Sequence, residues 1–283
     1  MSRRLLFAIA LALGVAGALS VRAQDLNLSL AILNAIPAPA DDYMLDASGN
    51  VMRDALGNPI SDPNEQFHSV KPNEFDPGHT NLVQAAWLNG IGCPTGAFIA
   101  NPNATFTGVG GFTPYTDAAC PTGDPNDQHN EGLLLVKTGP TANFASAIAE
   151  LKKVRGITLT ELGYDIRKSG GSGASPLGSH CGAGAPRFNV VTSDGVTHFI
   201  GCNSPPAMTQ VASATGWVRL RWNVAELAAA FPPIGPIDVV QRILIVFDEG
   251  QDASGGPDQF GGAILDNIDV NQKLVGRGAT DAS

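Results

Sequence analysis

Past residue 130 the chain is built from short apolar runs separated by turn residues. "GLLLVKT" (132–138) is a continuous apolar run of strand length. "FASAIAELKKV" (144–154) fits two periods. Phe144, Ile148 and Leu151 suit a helix face, while the Gly156 turn and "ITLTEL" beyond it suit a hairpin, and the strand is preferred. "ITLTELGYDIR" (157–167) changes its alternation near Leu162, which predicts a bulge at Gly163. "RFNVVTSDGVTHFIGC" (187–202) reads as a hairpin about Ser193-Asp194-Gly195, whose glycine can take positive φ. "GWVRLRW" (216–222) alternates strictly, with Trp217, Arg219 and Arg221 on one face and Val218, Leu220 and Trp222 on the other. "NVAELAAAF" (223–231) predicts a short helix capped by Asn223 and stopped by Pro232-Pro233. "RILIVFDE" (242–249) and "GAILDNIDV" (262–270) are the last two strands. Strands at this spacing predict an antiparallel β-sandwich over 130–283.

Residues 24–129 carry little apolar periodicity and read as a turn-rich region, either part of the same domain or separate from it. An echo, Asp46-Ala-Ser-Gly-Asn then Asp54-Ala-Leu-Gly-Asn, predicts consecutive tight turns at the Gly-Asn pairs. Two copies are too few for a solenoid. Residues 75–98 are more ordered, with Leu82, Val83, Trp87 and Leu88 able to bury a face beside Cys93.

The amino terminus changes the picture by assigning a compartment. Arg3 and Arg4, an apolar run from Leu5 to Leu19, and Val21-Arg22-Ala23 have the form of a signal peptide covering residues 1–23. The run is short for a membrane anchor. Its removal deletes three arginines and no acid, which takes 17 basic residues to 14 against 26 acidic, a formal −12. A secreted or periplasmic chain so acidic, without a Lys/Arg cluster, is a poor partner for nucleic acid or an anionic membrane. Four cysteines in an exported chain read as two disulfides. Three pairings are possible; the neighbours, Cys93 with Cys120 and Cys181 with Cys202, are favoured because each closes a short segment. Zinc is the rival reading, and no Cys-x-x-Cys supports it.

The order of a tryptophan strand, an apolar strand ending in a loop, and a closing strand Leu265-Asp266-Asn267-Ile268-Asp269-Val270 resembles the C-terminal half of galactose-binding-like jelly rolls. The carbohydrate-binding modules of glycoside hydrolases belong to that group. The resemblance covers 130–278, and its specific part is 217–270. It implies an all-β, antiparallel jelly-roll sandwich and carbohydrate as a partner. It also implies a structural calcium, held by the aspartate matching Asp266 together with acids of the first strand, here Asp127 and Glu131.

Candidate chemistry concentrates in "FDEGQDASGGPDQFGGAILDNIDV" (247–270). Asp252 and Asp258 fall in its Gly-rich loop and read as solvated. Asp266 alternates with Ile264 and Ile268, so it shares an apolar face and must be paired, hydrogen-bonded or metal-bound. Calcium is one solution, given the hard oxygens on offer, and turn amides are the other. No Gly-x-Ser-x-Gly, His-Glu-x-x-His, phosphate loop or dinucleotide glycine pattern occurs. The five histidines are scattered, and His198 reads as a sheet residue rather than a base. Asp248 and Glu249 are the suspects for a paired-carboxylate glycosidase, yet neighbours on a strand face opposite ways. Trp217, Arg219 and Arg221 form the candidate ligand platform, with Trp217 as a cap on the core the alternative.

These readings rank a secreted non-catalytic binding protein first, a structural or adhesive surface protein second and a secreted hydrolase third. N-terminal sequencing of the exported protein is expected to begin at Gln24, and thiol titration to find no free cysteine. An intact Met1 or a reactive Cys181 would remove the compartment assignment.

Overall fold

The computed structural model describes residues 44, 46–48, 50–57, 60, 67–95, 117–139, 145–168, 181, 185–207, 209–212, 216–248 and 261–278. The signal segment, Glu249, Asp252 and Asp258 lie outside them. Among the described residues there are twelve strands and one short helix. The strands are β1 (Ser69–Phe75), β2 (Val83–Leu88), β3 (Gly132–Lys137), β4 (Ser146–Lys152), β5 (Glu161–Lys168) and β6 (Arg187–Thr192). They continue with β7 (Thr197–Gly201), β8 (Thr209–Ala212), β9 (Trp217–Asn223), β10 (Val240–Phe247), β11 (Gly261–Val270) and β12 (Lys273–Val275). The helix α1 (Val224–Leu227) follows β9.

Two antiparallel sheets form a jelly-roll-type sandwich. One has the order β1-β4-β10-β6-β7, the other β2-β3-β11-β5-β9-β8, with β12 added to β11. The strands β10 and β11 frame the acidic stretch but belong to different sheets, so they are not a hairpin. The N-terminal region contributes β1 and β2 to the two sheets, where they pair with β4 and β3. Its backbone periodicity is weak because both are edge strands with mixed exposure. Of the apolar set expected there, Val83 is buried and Trp87 half-buried, while Leu88 faces solvent.

Alternation places the core between the sheets. Ala147, Ala149 and Leu151 of β4 point inwards with Ile243, Ile245 and Phe247 of β10. They meet Leu162, Tyr164 and Ile166 of β5 and Val218, Leu220 and Trp222 of β9. Ile148 points the other way, which resolves the double period of residues 144–154: a strand buried on both faces needs no polar side. Three aromatic rings join the layers, with Tyr164 5.2 Å from Phe188 and 5.4 Å from Trp222. Both polar tips are satisfied by carbonyls, Tyr164 Oη at Pro186 and Trp222 Nε1 at Pro205.

Local sequence signals hold where the chain is short-range. Gly195 has φ +82° at the β6–β7 turn. Asn223 caps α1 in a capping box with Glu226, although α1 runs only to Leu227 and the chain reaches Pro232 without further helix. Turns form in the echo at Ala47–Ser48 and Ala55–Leu56, in which Asp46 Oδ1 accepts from Ser48 and Asn50 and Asp54 Oδ1 from Leu56, while Gly49 and Asn58 of the two Gly-Asn pairs lie outside the described residues. Three residues at its spacing of eight close a ring: Met52 N–H donates to Met44 O, Ile60 N–H to Met52 O and Met44 N–H to Ile60 O. The disulfides join neighbours, Cys93 to Cys120 and Cys181 to Cys202.

The bulge falls on β11 rather than at Gly163. Asp266 opposes Asp165 and Asp269 opposes Gly163, so β11 uses one residue more than β5 over the same span. Asn267 takes the left-handed conformation, φ +46°, that lets the strand recover. The slip separates Asp266 from Ile268: Ile268 enters the core between the sheets, whereas Asp266 and Asp269 share the outer face. Replacing Trp222 by Ala is expected to cost about 3–5 kcal/mol, because it removes the largest side chain of the aromatic contact from a packed interior. Urea unfolding followed by circular dichroism measures this, and a loss below 1 kcal/mol would contradict the packing described.

Candidate functional site

The outer face of the larger sheet carries a polar cluster beneath the segments 89–95 and 117–131. Its centre is Asp165 of β5, which has no solvent exposure. Alternation on β9 aims Arg219 and Arg221 at it. Arg219 grips the carboxylate with two bonds, Nε to Oδ1 at 2.7 Å and Nη2 to Oδ2 at 2.8 Å. The same guanidinium donates to Thr122, at Oγ1 (2.9 Å) and at its carbonyl (2.6 Å). Arg221 Nη2 lies 3.3 Å from Asp165 Oδ1, and its Nε lies 3.0 Å from Asp269 Oδ2. Asn267 Nδ2 adds a fourth donor to Asp165 at 2.9 Å.

Gly163 makes the longest of these reaches possible. It stands between Arg221 on β9 and Asp269 on β11, and a methyl group there would collide with Arg221 Cδ and the Leu220 carbonyl. The missing side chain is the passage by which an arginine crosses one strand to meet an aspartate on the next.

Asp266 opens towards the covering segments instead. Its Oδ2 accepts from Cys93 N–H at 2.6 Å and its Oδ1 from Asn267 N–H at 2.5 Å. Burial pushes its pKa well up, and the charges of Asp165 and Asp127 push the same way. Gly92 packs against this carboxylate and the Glu131 carbonyl so closely that no side chain fits. Asp127 Oδ1 accepts from the amides of His129 and Glu131. Burial raises its pKa to about 6 despite those two bonds. Glu131 Oε2 accepts from Gly278 N–H at 2.8 Å.

The structure gives Asp127, Glu131 and Asp266 backbone amides to accept from, at the covering segments and beyond β12, but does not gather their carboxylate oxygens within 4.8 Å of one another. Two observations suit a hard cation there. The Oδ1 atom of buried Asn130 has no hydrogen-bond partner. The carboxylates of Asp127, Asp165, Asp266 and Asp269 also outnumber the guanidiniums of Arg219 and Arg221. Among the described residues, the three ligating side chains whose donor atoms lie within 4.8 Å of one another are Cys93, Cys120 and Asp165. Two of these are joined as a disulfide and cannot bind zinc as thiolates.

The expected ligand platform is corrected by burial. Trp217 is only 2 % exposed and packs with the Cys93–Cys120 disulfide and Ala119, while Arg219 and Arg221 are spent on Asp165 and Asp269. The alternation was read correctly, but the face it defines is covered by chain rather than solvent. His198 is a buried sheet residue whose Nε2 meets Thr192 Oγ1 and Nδ1 meets the Pro232 carbonyl, both at 2.9 Å. Asp248 is held by Arg187 through two bonds of 2.8 and 2.6 Å. On the smaller sheet Glu150 accepts from Lys152 at 2.9 Å and Arg242 at 2.5 Å.

Asp165, Asn267 and Thr122 were missed from the sequence. Asp165 had a signal: in Leu162-Gly163-Tyr164-Asp165-Ile166 it lies opposite the apolar set, on a strand too apolar to be a surface one. Its partners become visible only with the strand register.

No protein-family model matches the chain, and no curated protein does. Among solved structures, a β-1,2-glucanase from Parabacteroides distasonis aligns at 11 % identity and TM-score 0.33, over 72 % of this chain and 24 % of that one. The chain thus spans about a quarter of that enzyme's length. A family 11 carbohydrate-binding module from Clostridium thermocellum, in complex with a β-1,3-1,4-mixed-linked tetrasaccharide, aligns at 11 % identity and TM-score 0.32, over 75 % of this chain and 94 % of that one. The family 11 module of the cellulase Lic26A-Cel5E from Clostridium thermocellum aligns at 12 % and 0.31, over 78 % and 95 %.

Arg219→Met is expected to destabilise the fold by about 3–5 kcal/mol, since it strands a buried carboxylate. Combining it with Asp165→Leu should recover a large part of that loss, because the charge needing the arginine is gone. A double-mutant cycle by urea unfolding, with Asp165→Leu alone as its third variant, measures both; a double-variant loss equal to the sum of the two single losses would show that the pair does not couple.

Proposed function

We propose that this chain is an exported, non-catalytic β-sandwich that binds carbohydrate or another extracellular ligand, with calcium as a structural cation. The observation that carries it is the state of its buried acids. Asp165, Asp248 and Glu150 are gripped by arginine or lysine, and Asp266 by two backbone amides. A glycosidase needs one carboxyl free to protonate the leaving group and another facing it across a sugar. Carboxylates locked to guanidiniums and sealed from solvent do neither.

Carbohydrate is favoured among ligands by the closing-strand pattern Leu265–Val270. The contact surface must lie away from Trp217. Phe231 offers one: it is 43 % exposed and pairs through its backbone with Phe199 of β7, the last strand of the smaller sheet. A partly exposed aromatic ring suits the apolar face of a sugar. The burial of Trp217, Arg219 and Arg221 favours a second reading, a structural or adhesive surface protein, because it removes the aromatic platform flanked by hydrogen-bond donors that the sequence offered.

Calcium would be held by Asp127, Glu131 and Asp266 with the Asn130 amide oxygen, and would supply positive charge to a corner short of it. It would tie the segments 89–95 and 117–131 to β11.

A glycan array in the presence of calcium separates the two readings. Retention of a defined glycan, weakened in Phe231→Ala without loss of Tm, is expected; silence across plant and microbial glycans would favour the structural reading. Chelation is expected to lower Tm, since a ligand bound only by the folded state stabilises it by about 2.7 kcal/mol at a hundredfold excess over its Kd. Asp266→Ala should abolish that response and Asp258→Ala should leave it. A melting curve indifferent to chelator would eliminate calcium.

A further inference from the structure

The segment that joins β9 to β10 turns an uncharged surface to water. Residues 224–239 are anchored by Leu227, Ala230 and Ile234, all buried in the core between the sheets. Between those anchors the chain exposes Val224, Phe231, Ile237 and Val239, and Ile237 is 83 % exposed. Among the described residues these are four of the seven large apolar side chains left in water. Only Glu226 and Asp238 ionise within the segment, and both are half-buried. Each is turned back on its own backbone: Glu226 Oε2 accepts from Asn223 N–H at 3.0 Å, and Asp238 Oδ2 from Gly235 N–H at 2.7 Å.

The surface is also poor in donors and fixed in shape. The amides of residues 228–231, 234 and 238 donate to carbonyls of the chain, and Pro232, Pro233 and Pro236 have no N–H. A partner that needs hydrogen-bond donors finds few here, so what the face can bury well is another apolar surface. Backbone bridges from Phe231 to Phe199 and from Val239 to Thr158 pin both ends, so little ordering is left to cost affinity on binding. With the exposed alanines and prolines between them, the four side chains make a patch on the order of 500 Å². Monomeric proteins rarely leave more than that in water, and a stable complex buries roughly 800 Å² per partner.

Charge selects the occupant. The chain carries a formal −9, so most pairings of its surface with itself set acid against acid. An uncharged patch is the exception, because it is complementary to itself, and a two-fold contact between identical subunits needs no more. A basic partner would be drawn to the acids elsewhere and gains nothing at this face. We infer that residues 224–239 form a two-fold interface between two copies of this chain. Its modest area makes the dimer reversible, with a dissociation constant in the micromolar range. Phe231 belongs both to this face and to the sugar contact described above, so a second copy and a glycan compete for one ring.

Sedimentation velocity of the full exported chain without glycan, from about 1 to 200 μM, tests the inference. The weight-average mass should rise from one chain towards two across that range. Added salt should strengthen association, because it screens the repulsion between acidic copies and leaves the apolar contact intact. Ile237→Asp should hold the protein as a monomer at every concentration with Tm unchanged, since that side chain lies in water. Leu56→Asp charges an equally exposed apolar side chain outside the segment and should associate as the wild type does. A chain that stays monomeric throughout, association that salt dissolves, or equal effects of the two variants would overturn the inference. Glycan retention by a strictly monomeric protein would remove the dimer and leave the sugar reading standing. Binding of the wild-type monomer to phosphatidylcholine vesicles, abolished in Ile237→Asp, would give the face to a lipid surface instead.

Discussion

An aspartate with no solvent exposure at the centre of β5 is the constraint from which the outer half of this molecule follows. A lone carboxylate removed from water costs several kcal/mol, so Asp165 can exist only inside a set of donors. The set comes from two strands: Arg219 and Arg221 from β9, and Asn267 from β11. Recruiting Asn267 requires its side chain to turn back across the sheet, which is what the left-handed residue at the β11 bulge achieves. Recruiting Arg219 fixes Thr122, and with it the path of the segment beside the Cys93–Cys120 disulfide.

The same arrangement explains why this face is a poor place for a ligand. Arginines beside a tryptophan on an exposed strand would offer donors and a stacking surface together. Here the donors are consumed before any ligand arrives, and the indole lies against a disulfide. The acids tell a parallel story. Catalytic carboxyls are recognisable by perturbed proton affinity together with access, and this cluster has the first without the second. Raised affinity in Asp127, Asp266 and Asp269 comes first from burial in each case, which is the signature of a packed polar layer.

Much of the fold was legible because it rests on short-range rules. Apolar runs located β3, β10 and β11, strict alternation located β9, turn chemistry located the β6–β7 hairpin, and cysteine spacing suggested both bridges. Edge strands β1 and β2 were not legible, since each is half solvated and borrows its order from β4 and β3. The site was legible in parts only. Asp266 could be identified as buried and in need of partners, though the sequence pointed it inwards and the structure places it on the outer face. Its companion face could not, because a one-residue bulge moves Ile268 into the core and leaves Asp266 outside it, and nothing in Asp-Asn-Ile-Asp distinguishes that from a regular strand. The misplacement of Gly163's role has the same origin. A glycine amid β-formers signals an irregularity, but whether it bulges or clears a path for an arginine depends on which strands lie on either side.

The covering segments show how such a layer holds without an apolar interface of its own. The hydrophobic contacts on this face are few: Cys93, Ala119, Cys120 and Trp217, with Ile264 beside them. Attachment comes instead from acceptors on the sheet that take backbone amides from above. Asp266 takes Cys93 N–H and Asn267 takes Asp124 N–H. In return, Asp124 and Glu131 accept from Gly276 and Gly278 beyond β12. Each bond is worth about 1 kcal/mol net, yet a donor left buried and unpaired costs more, so the segments lie down together or not at all. Cross-linking at Cys93–Cys120 suits that logic, because it joins the two segments whose amides the sheet must capture at once. The acidic cluster is therefore the adhesive of the fold, and its charge is the reason that closing this face requires so many donors.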